Sequence, residues 1–404
     1  MCESDSGWQD VLAALLRESH LVTGDGVPAV LESLLAPMGL VPELFLVDHD
    51  QIELRPLRGE RVVRVEGTLP GRAYQHGAVL DGRDATGTVL WVPLVDGVER
   101  LGVMGVHLTA GQDPADPGLR NHLPSFAALV AHLFAAKLEQ NDTLPRLRRT
   151  RPMSVAGELL WQLLPPLTVA SKQVALAAVL EPSYDVSGDA FDYAVESSEA
   201  FFSIFDSSGH DLNAGLTASV TLAASRAARR EGSDLLTVAA RIDAALTEQF
   251  DDHRFVTGVL AHLDLGSGRM RYLNAGHPAP IVLRAGKAVR ELPSGRRMPF
   301  GRIASWVPQP RNIGEEYLEP GDLLLLHSDG VVEARDEAGD EFGVERLVEL
   351  AEHVAADRLP ASETLRRLAK AVREHRSGEL QDDATLMLVE WSGAAAARLV
   401  PHPR

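Results

Sequence analysis

The period of the hydrophobic positions divides roughly the first 140 residues into helices at both ends and strands between them. Apolar residues recur at helical spacing from Val11 to Leu16, which predicts a helix over 10–19. Further helices are expected over 27–36 and 119–140. The short apolar segments between them are bounded by Gly and Asp, which is typical of strands. The predicted strands are 44–47, 52–54, 62–65, 89–94 and 101–106. This pattern indicates an α+β domain.

The composition changes after residue 140. A basic, proline-flanked segment over 145–152 precedes an amphipathic helix predicted over 153–164, which two prolines end. That helix either docks on its own domain or pairs with a second copy of the chain. The expected organisation is an N-terminal helix (1–20), an α+β domain (21–140), a linker or signalling helix (141–168), a second domain (169–392) and a disordered tail (393–404).

The second domain has many strands, and its helices come in pairs. The predicted strands are 174–180, 190–195, 201–205, 255–264, 270–273, 280–283, 322–327 and 384–391. The predicted helices are 215–230, 235–250, 344–356 and 361–374. Because strands and helices do not alternate one by one, a doubly wound parallel sheet is disfavoured. The pattern favours two packed, largely antiparallel sheets flanked by helices, which keeps the whole chain in the α+β class.

Composition and charge exclude several classes of function. The chain has 404 residues, 45% of them hydrophobic, and a formal net charge of −18. Such a surplus of acids would repel a phosphate backbone, so we expect no nucleic-acid partner. The one cysteine, Cys2, allows neither a disulfide framework nor a thiolate zinc site. No signal-like or membrane-spanning segment is evident, so we expect a cytoplasmic protein.

Acidic residues stand at the ends of several predicted strands of the second domain. A leucine-rich strand, 322–327, is followed by Asp329-Gly330, and Asp206 follows the strand 201–205. Asp189 lies in a predicted turn after Gly188, and Asp382-Asp383 precede the last strand. A single acid beside glycine is most often a turn residue. Several in one domain predict convergence at one edge of the sandwich, provided that the central strands of each sheet point the same way.

Converging carboxylates repel each other strongly unless a cation compensates them. Oxygen ligands without a Cys or His cage favour Mg²⁺ or Mn²⁺ over Zn²⁺. Two such ions about 3.5–4 Å apart would activate a water for attack on a phosphate ester. The chain has no Gly-Lys-Ser/Thr phosphate loop, which argues against a nucleotide triphosphatase.

Five motifs between about Gln173 and Glu390 together resemble the bacterial branch of the PP2C-type serine/threonine phosphatases, the sporulation and stress-response type. They are Val186-Ser187-Gly188-Asp189, Asp206-Ser207-Ser208-Gly209-His210, Asn274-Ala275-Gly276-His277-Pro278, Ser328-Asp329-Gly330 and Asp382-Asp383-Ala384-Thr385. The resemblance implies an α-β-β-α sandwich with a centre of two Mg²⁺ or Mn²⁺ ions. It implies as metal ligands, directly or through water, Asp189, Asp206, Asp329 and Asp382, with the carbonyl of Ser207. Asp206 and Asp329 are the expected catalytic residues.

The motifs depart from the family pattern at two places. The family usually has glycine where this chain has Ser187 and Asp211. Asp211 would restrict the backbone if that position required a positive φ. These departures keep open an alternative function, a pseudophosphatase that acts as a sensory or scaffold protein. A nucleotide or second-messenger hydrolase is a third hypothesis. His210 and His277 are candidate general acids, although histidines that order loops by hydrogen bonds are the favoured interpretation.

The first domain resembles a GAF domain, a small-molecule sensing fold, in Leu69-Pro70-Gly71-Arg72-Ala73 and in the strands 91–94 and 101–104. The resemblance implies a sensor that controls the second domain, although a packing module without a ligand remains equally open. The type of phosphatase implies as substrate a phosphorylated protein similar to an anti-sigma factor antagonist. A homodimer through the helix from Leu119 and the segment after Pro152 is a further hypothesis.

Overall fold

The computed structural model of the protein describes most of the chain. The described residues are 3–85, 87–138, 140–182, 184–185, 188–209, 211–251, 254–302, 304, 308–309, 311–357, 359–376 and 382–393. They form two compact units, the first ending at Pro152 and the second beginning at Met153. The predicted disordered tail lies, except for Gly393, outside the described residues. No helix in the described part is long and apolar enough to cross a membrane.

The first unit is a six-stranded antiparallel sheet with helices on both faces. Its helices are α1 (Glu3–Ser19), α2 (Val27–Leu35), α3 (Leu69–His76), α4 (Pro117–Leu138) and α5 (Thr143–Arg148). Its strands are β1 (Leu40–Val47), β2 (Glu53–Pro56), β3 (Val63–Arg64), β4 (Leu80–Asp84), β5 (Gly87–Asp96) and β6 (Glu99–Leu108). The order across the sheet is β3-β2-β1-β6-β5-β4.

The alternation along β1 shows how this sheet is covered. Leu44 and Leu46 point into the core formed with α1, α2 and α4, whereas Phe45 and Val47 join the core on the other face with Tyr74 of α3. The predicted N-terminal helix over 1–20 packs into this unit through Trp8. The GAF-like assignment stays a prediction.

The second unit contains the remaining elements. Its helices are α6 (Val155–Leu163), α7 (Leu212–Arg230), α8 (Leu235–Gln249), α9 (Asp329–Val332), α10 (Val344–Ala356) and α11 (Ala361–His375). Its strands are β7 (Thr168–Ala170), β8 (Val174–Glu181), β9 (Asp189–Val195), β10 (Glu199–Ser207), β11 (Phe255–Asp264), β12 (Arg269–Ala275), β13 (Ile281–Arg284), β14 (Lys287–Glu291), β15 (Arg296–Arg297), β16 (Phe300–Gly301), β17 (Gly314–Tyr317), β18 (Asp322–His327) and β19 (Ala384–Trp391). The segment 141–168, expected to be one linker or signalling helix, is divided between the two units.

These strands form two sheets. One has the order β15-β12-β11-β10-β9, with β16 on β11 and β17 on β12, and the other has the order β14-β13-β18-β19-β8-β7. Helices α7 and α8 cover the first sheet, and α10 and α11 cover the second. Of the pairings in the described chain, β12 with β15 is parallel and the others are antiparallel. The predicted α+β class and α-β-β-α sandwich are confirmed.

Candidate metal centre

Two of the predicted acids face each other across neighbouring strands of the first sheet. Asp189 is the first residue of β9, and Asp206 is the penultimate residue of β10. The antiparallel register pairs these two residues directly. Asp189 therefore lies on a strand and not in the predicted turn, and its side chain is 1% exposed. Directly paired carboxylates destabilise a sheet unless something offsets their charges.

The other two acids, Asp329 and Asp382, lie near each other at the second sheet. The leucine-rich strand β18 ends at His327, and Asp329 is the first residue of the short helix α9. Asp382 and Asp383 come immediately before β19, which pairs with β18 in antiparallel fashion. The strands of each pair thus run in opposite directions, so one strand ends where its neighbour begins. The assumption that the central strands of each sheet point the same way is therefore wrong. The acids nevertheless converge, because the end of one strand lies beside the start of its neighbour.

A chain of hydrogen bonds joins the two sheets at this edge. The backbone N–H of Thr385 donates to Ser328 Oγ (2.8 Å), and Ser328 Oγ donates to Asp189 Oδ2 (2.7 Å). Asp383 Oδ2 accepts from the N–H groups of Gly188 (2.6 Å) and Asp189 (3.2 Å). The buried Ser328 and Asp383 therefore fix the position of Asp189. Neither was assigned a role from the sequence, although the Asp382-Asp383 doublet was a signal for one of them.

The packing at this edge is close enough to require glycine at position 330. A Cβ atom built there would lie 2.0 Å from the carbonyl oxygen of Asp383, a distance at which no side chain fits. Gly330 thus allows the start of α9, with Asp329, to approach the segment before β19. The dipeptide Asp329-Gly330 is more than a turn signal, since its glycine sets the distance between two acidic segments.

The pKa values of the acids record their mutual repulsion. Burial, followed by the charges of Asp206 and Asp383, raises the pKa of Asp189 well above its usual range. Burial and the charges of Asp329, Asp382 and Asp383 raise the pKa of Asp206 to about 7. The pKa of Asp382 is also raised, chiefly by burial. Like charges brought together out of water favour uptake of a proton or a cation.

Ser207, whose carbonyl was the fifth expected ligand, lies at the same edge. It is the last residue of β10, and its N–H donates to the carbonyl of Gly188 (3.1 Å). A Cβ atom built on Gly188 would lie 2.8 Å from the carbonyl oxygen of Ser207. The Ser207 hydroxyl is buried and has no hydrogen-bond partner among the described residues.

His277 orders a loop. Its N–H donates to Asn274 Oδ1 (2.8 Å), Asn274 Nδ2 donates to its carbonyl (2.9 Å), and its Nδ1 lies 2.8 Å from Thr257 Oγ1. Burial, and then the nearby His327, lower the pKa of His277 to about 3. A neutral, buried imidazole of this kind is a poor general acid. The other candidate, His210, lies outside the described residues.

Asp211, one of the two departures from the family pattern, has an ordinary local role. It is the N-cap of α7, with φ −122°, and its side chain accepts hydrogen bonds from the N–H groups of Asn213 and Ala214. This backbone conformation needs no glycine. The concern that Asp211 strains the loop is therefore wrong. Ser187, the other departure, lies outside the described residues.

The donor set of this edge fits a hard divalent cation. In the part of the chain that the structure describes, no three His, Cys, Asp or Glu side chains already surround a common point as ligands would. The charge of Asp206 nevertheless raises the pKa of Asp189, and the charges of Asp329 and Asp382 raise the pKa of Asp206. Carboxylate and carbonyl oxygens without thiolate or imidazole are the donors that Mg²⁺ and Mn²⁺ prefer.

Comparison with known proteins agrees with this fold. The SiaA-PP2C domain of Pseudomonas aeruginosa superposes with a TM-score of 0.50 at 20% sequence identity, covering 64% of this chain and 99% of that domain. The second unit thus has the fold of PP2C-type phosphatase domains. Residues 196–392 are similar to the family described as stage II sporulation protein E (SpoIIE), whose model they match.

Two curated relatives match at the sequence level. Protein IcfG of Synechocystis sp. is 28% identical over 149 residues, which are 36% of this chain and 22% of the relative. Phosphoserine phosphatase RsbU of Bacillus subtilis is 23% identical over 217 residues, which are 53% of this chain and 62% of the relative. The chain therefore spans less than two thirds of the length of either relative.

Proposed function

We propose that the protein is a metal-dependent protein phosphatase that hydrolyses phosphoserine or phosphothreonine in a regulatory protein. The observation that carries the proposal is the meeting of Asp189, Asp206, Asp329 and Asp382 at one edge of the sandwich, where burial and mutual repulsion raise the pKa of Asp206 to about 7. A site that holds this much uncompensated negative charge is suited to divalent cations. The match of residues 196–392 to the model of the SpoIIE family supports the same activity.

The four aspartates and the Ser207 carbonyl would hold two Mg²⁺ or Mn²⁺ ions. When bound, the ions would supply an activated water and would neutralise charge on the phosphoryl oxygens. Asp206 from β10 and Asp329 from the start of α9 are the carboxylates on which we expect the reaction to depend most. Ser328 and Asp383 position Asp189 through the hydrogen bonds described above. Such supporting contacts fix ligand orientation before an ion arrives.

The proposed substrate is a phosphorylated protein similar to an anti-sigma factor antagonist. The relative RsbU is a phosphoserine phosphatase by name, which supports phosphoserine as the group removed. Regulation by the first unit through a small-molecule ligand, and dimerisation of the chain, are further parts of the proposal. Both follow from the GAF-like resemblance and from the helical segments at 119–140 and 153–164.

The pseudophosphatase alternative has lost one of its two arguments, because Asp211 caps a helix in an unstrained conformation. The acids themselves are all present. The remaining argument is Ser187 in place of glycine. Hydrolysis of a generic phosphate ester decides between the two functions, since a scaffold protein would bind its partner without turnover.

The test is hydrolysis of p-nitrophenyl phosphate and of a phosphoserine peptide by the full chain. We expect activity with Mn²⁺ or Mg²⁺, its loss in EDTA, and its recovery when the metal is restored. Asp206→Asn and Asp329→Asn should each lower kcat by more than about a hundredfold, because each removes a ligand from a centre where even supporting residues are worth about 10–100-fold.

Asp264→Asn is the matched control. Asp264 lies at the opposite end of the β10–β11 pair, opposite Glu199, and caps a turn by accepting from Ser267, which an Asn side chain can also do. The activity of the Asp264→Asn variant should equal that of the wild type. A folded wild-type protein that binds Mn²⁺ but hydrolyses neither substrate would overturn the proposed function in favour of the scaffold.

A further inference from the structure

One arginine reaches the acidic edge without forming an ion pair there. Arg376 follows α11, and its Nη2 donates to the carbonyl oxygens of Gly330 (3.1 Å) and Asp382 (3.3 Å). Gly330 directly follows Asp329, so the guanidinium is held by the backbone beside two of the proposed metal ligands. Backbone carbonyls are fixed acceptors, and they therefore set the position of the guanidinium more firmly than flexible side chains would.

The other arginines of this region use their charge on carboxylates. Arg366 pairs with Glu363 (2.9 Å), Arg373 pairs with Glu181, and Arg367 pairs with Asp357 (3.0 Å). The side chain of Arg376 makes no hydrogen bond or ion pair with any described residue beyond the two carbonyls, although it lies near the charges of Glu181, Asp382 and Asp383. Its Nε and Nη1 donors are consequently unused within the described chain.

The charge of the proposed centre calls for such a group. Four aspartates balance two divalent cations, which leaves no excess positive charge to hold the dianion of a phosphate monoester. Asp383, close by, makes the balance more negative. A guanidinium presents a planar fork of donors that matches two phosphate oxygens at once and keeps its charge at any physiological pH. Arg376 has this chemistry at the position where the deficit arises.

We propose that Arg376 binds the phosphoryl group of the substrate and orients it over the acidic edge, with Nη2 anchored on Gly330 and Asp382 and the remaining donors directed to the phosphoryl oxygens. This inference rests on the proposed function and deepens it. No sequence pattern predicts this role, because Arg376 belongs to none of the five motifs and nothing local distinguishes it from the neighbouring arginines.

The test uses inorganic phosphate as a probe for the Mn²⁺-loaded full chain. Arg376→Met should weaken phosphate binding, measured by isothermal titration calorimetry, by about tenfold or more, because charge-assisted hydrogen bonds are lost. Mn²⁺ affinity should stay within about twofold of the wild type, since no ligand is removed. Arg376→Lys should recover part of the loss, because it keeps the charge but not the fork.

Lys370→Met is the control, since it removes one positive charge from the surface of α11. Lys370 pairs there with Glu374 (3.6 Å). This variant should leave phosphate affinity unchanged. If Arg376→Met loses Mn²⁺ affinity and thermal stability while its metal-loaded form binds phosphate as the wild type does, Arg376 is only a brace and the inference is wrong. The inference also fails if the Mn²⁺-loaded wild type binds no phosphate.

The outcomes separate this inference from the proposed function. A wild-type protein that binds Mn²⁺ and phosphate but hydrolyses no phosphate ester contradicts the enzyme. The phosphate affinities of the Arg376 variants would still decide whether this residue recognises phosphate. Where turnover is present, kcat and KM for p-nitrophenyl phosphate add a second readout, in which Arg376→Met raises KM and lowers kcat together.

Discussion

Two buried aspartates, one in each unit, show what distinguishes a structural carboxylate from a functional one. Asp48 and Asp189 are both 1% exposed. Asp48 accepts hydrogen bonds from the N–H groups of Ile52 and Glu53, each at 2.8 Å, and organises the turn between β1 and β2. Burial raises its pKa to about 6, while these backbone hydrogen bonds hold it down. Asp48 is thus a buried acid with its own donors.

Asp189 is buried to the same extent, but its neighbours include other carboxylates. Ser328 donates to it, but Asp206 and Asp383 lie close enough for their charges to raise its pKa further after burial has done so. Burial is therefore common to both acids and does not mark a site. Like charges gathered from separate strands are the distinguishing feature, and such an arrangement is suited to a bound cation.

The largest test of this comparison exchanges each acid for its amide. Asp189→Asn should lower phosphatase activity by more than about a hundredfold and abolish stabilisation by Mn²⁺. In the wild type, Mn²⁺ at about 100 times its Kd should raise the free energy of unfolding by about 2.7 kcal/mol. Urea denaturation with and without the metal measures this increment.

Asp48→Asn provides the other half of the comparison. It should cost roughly 1 kcal/mol of stability through weakened turn hydrogen bonds and should leave the whole Mn²⁺ increment in place. If the increment survives in Asp189→Asn, or disappears in Asp48→Asn, the distinction drawn between the two acids is wrong.

The sequence predicted the elements of the second unit closely, because its strands are long apolar runs with clear ends. It also predicted that Asp189, Asp206, Asp329 and Asp382 converge. It could not choose between Asp382 and Asp383 for the internal hydrogen bonds, since side chains of adjacent residues point in opposite directions and strand register is a tertiary property. The contacts of Ser328 with Asp189 and of Arg376 with Gly330 were missed for a related reason, since these partners are 139 and 46 residues away in the chain.

A second way to break the centre is to separate the acids without removing them. Gly330→Ala places a Cβ 2.0 Å from the carbonyl oxygen of Asp383, so the start of α9 must move. Overpacking of this kind costs about 1–3 kcal/mol, and we expect Mn²⁺ affinity to fall with it. Gly266→Ala, whose Cβ would meet only Asp264 Oδ1 at 3.5 Å, is the control. Equal metal affinity in the two variants would show that this spacing is not required.

The pH dependence of stability sharpens the comparison further. In metal-free protein the pKa of Asp206 is about 7, chiefly because of burial, whereas an unfolded aspartate has a pKa of about 3.9. Between these values the folded state binds more protons, so the free energy of unfolding should fall as the pH rises from 4 to 7. Urea titrations in EDTA measure the fall.

Metal should cancel the contribution of the acidic edge to the pH dependence of stability, but not the contribution of Asp48. With saturating Mn²⁺ the carboxylates of the acidic edge would bind the ion instead of protons. The decrease in the free energy of unfolding that these carboxylates cause as the pH rises should therefore disappear. The smaller fall due to Asp48, whose pKa is raised to about 6, should remain and should be absent in Asp48→Asn. A metal-free stability that rises with pH over this range would contradict the raised pKa values.

The smallest expected effect concerns Asp211. Replacing this N-cap by Ala should cost about 1 kcal/mol, and replacing it by Gly only a few tenths. Neither change should alter kcat by more than about twofold, since the residue caps α7 without adding backbone strain. A large gain in kcat for Asp211→Gly would show instead that Asp211 suppresses turnover.

The hydrogen bonds across the two sheets also determine when the site can exist. Asp383 and Gly188 are 195 residues apart along the chain, and Ser328 and Asp189 are 139 apart. Contacts of such sequence separation form late, because the loop between them must first be closed. A ribosome that has not yet released the segment from Asp382 onward carries a nascent chain with Asp189, Asp206 and Asp329 but without Asp382 and Asp383. The centre is thereby withheld until the last strand of the unit has been made.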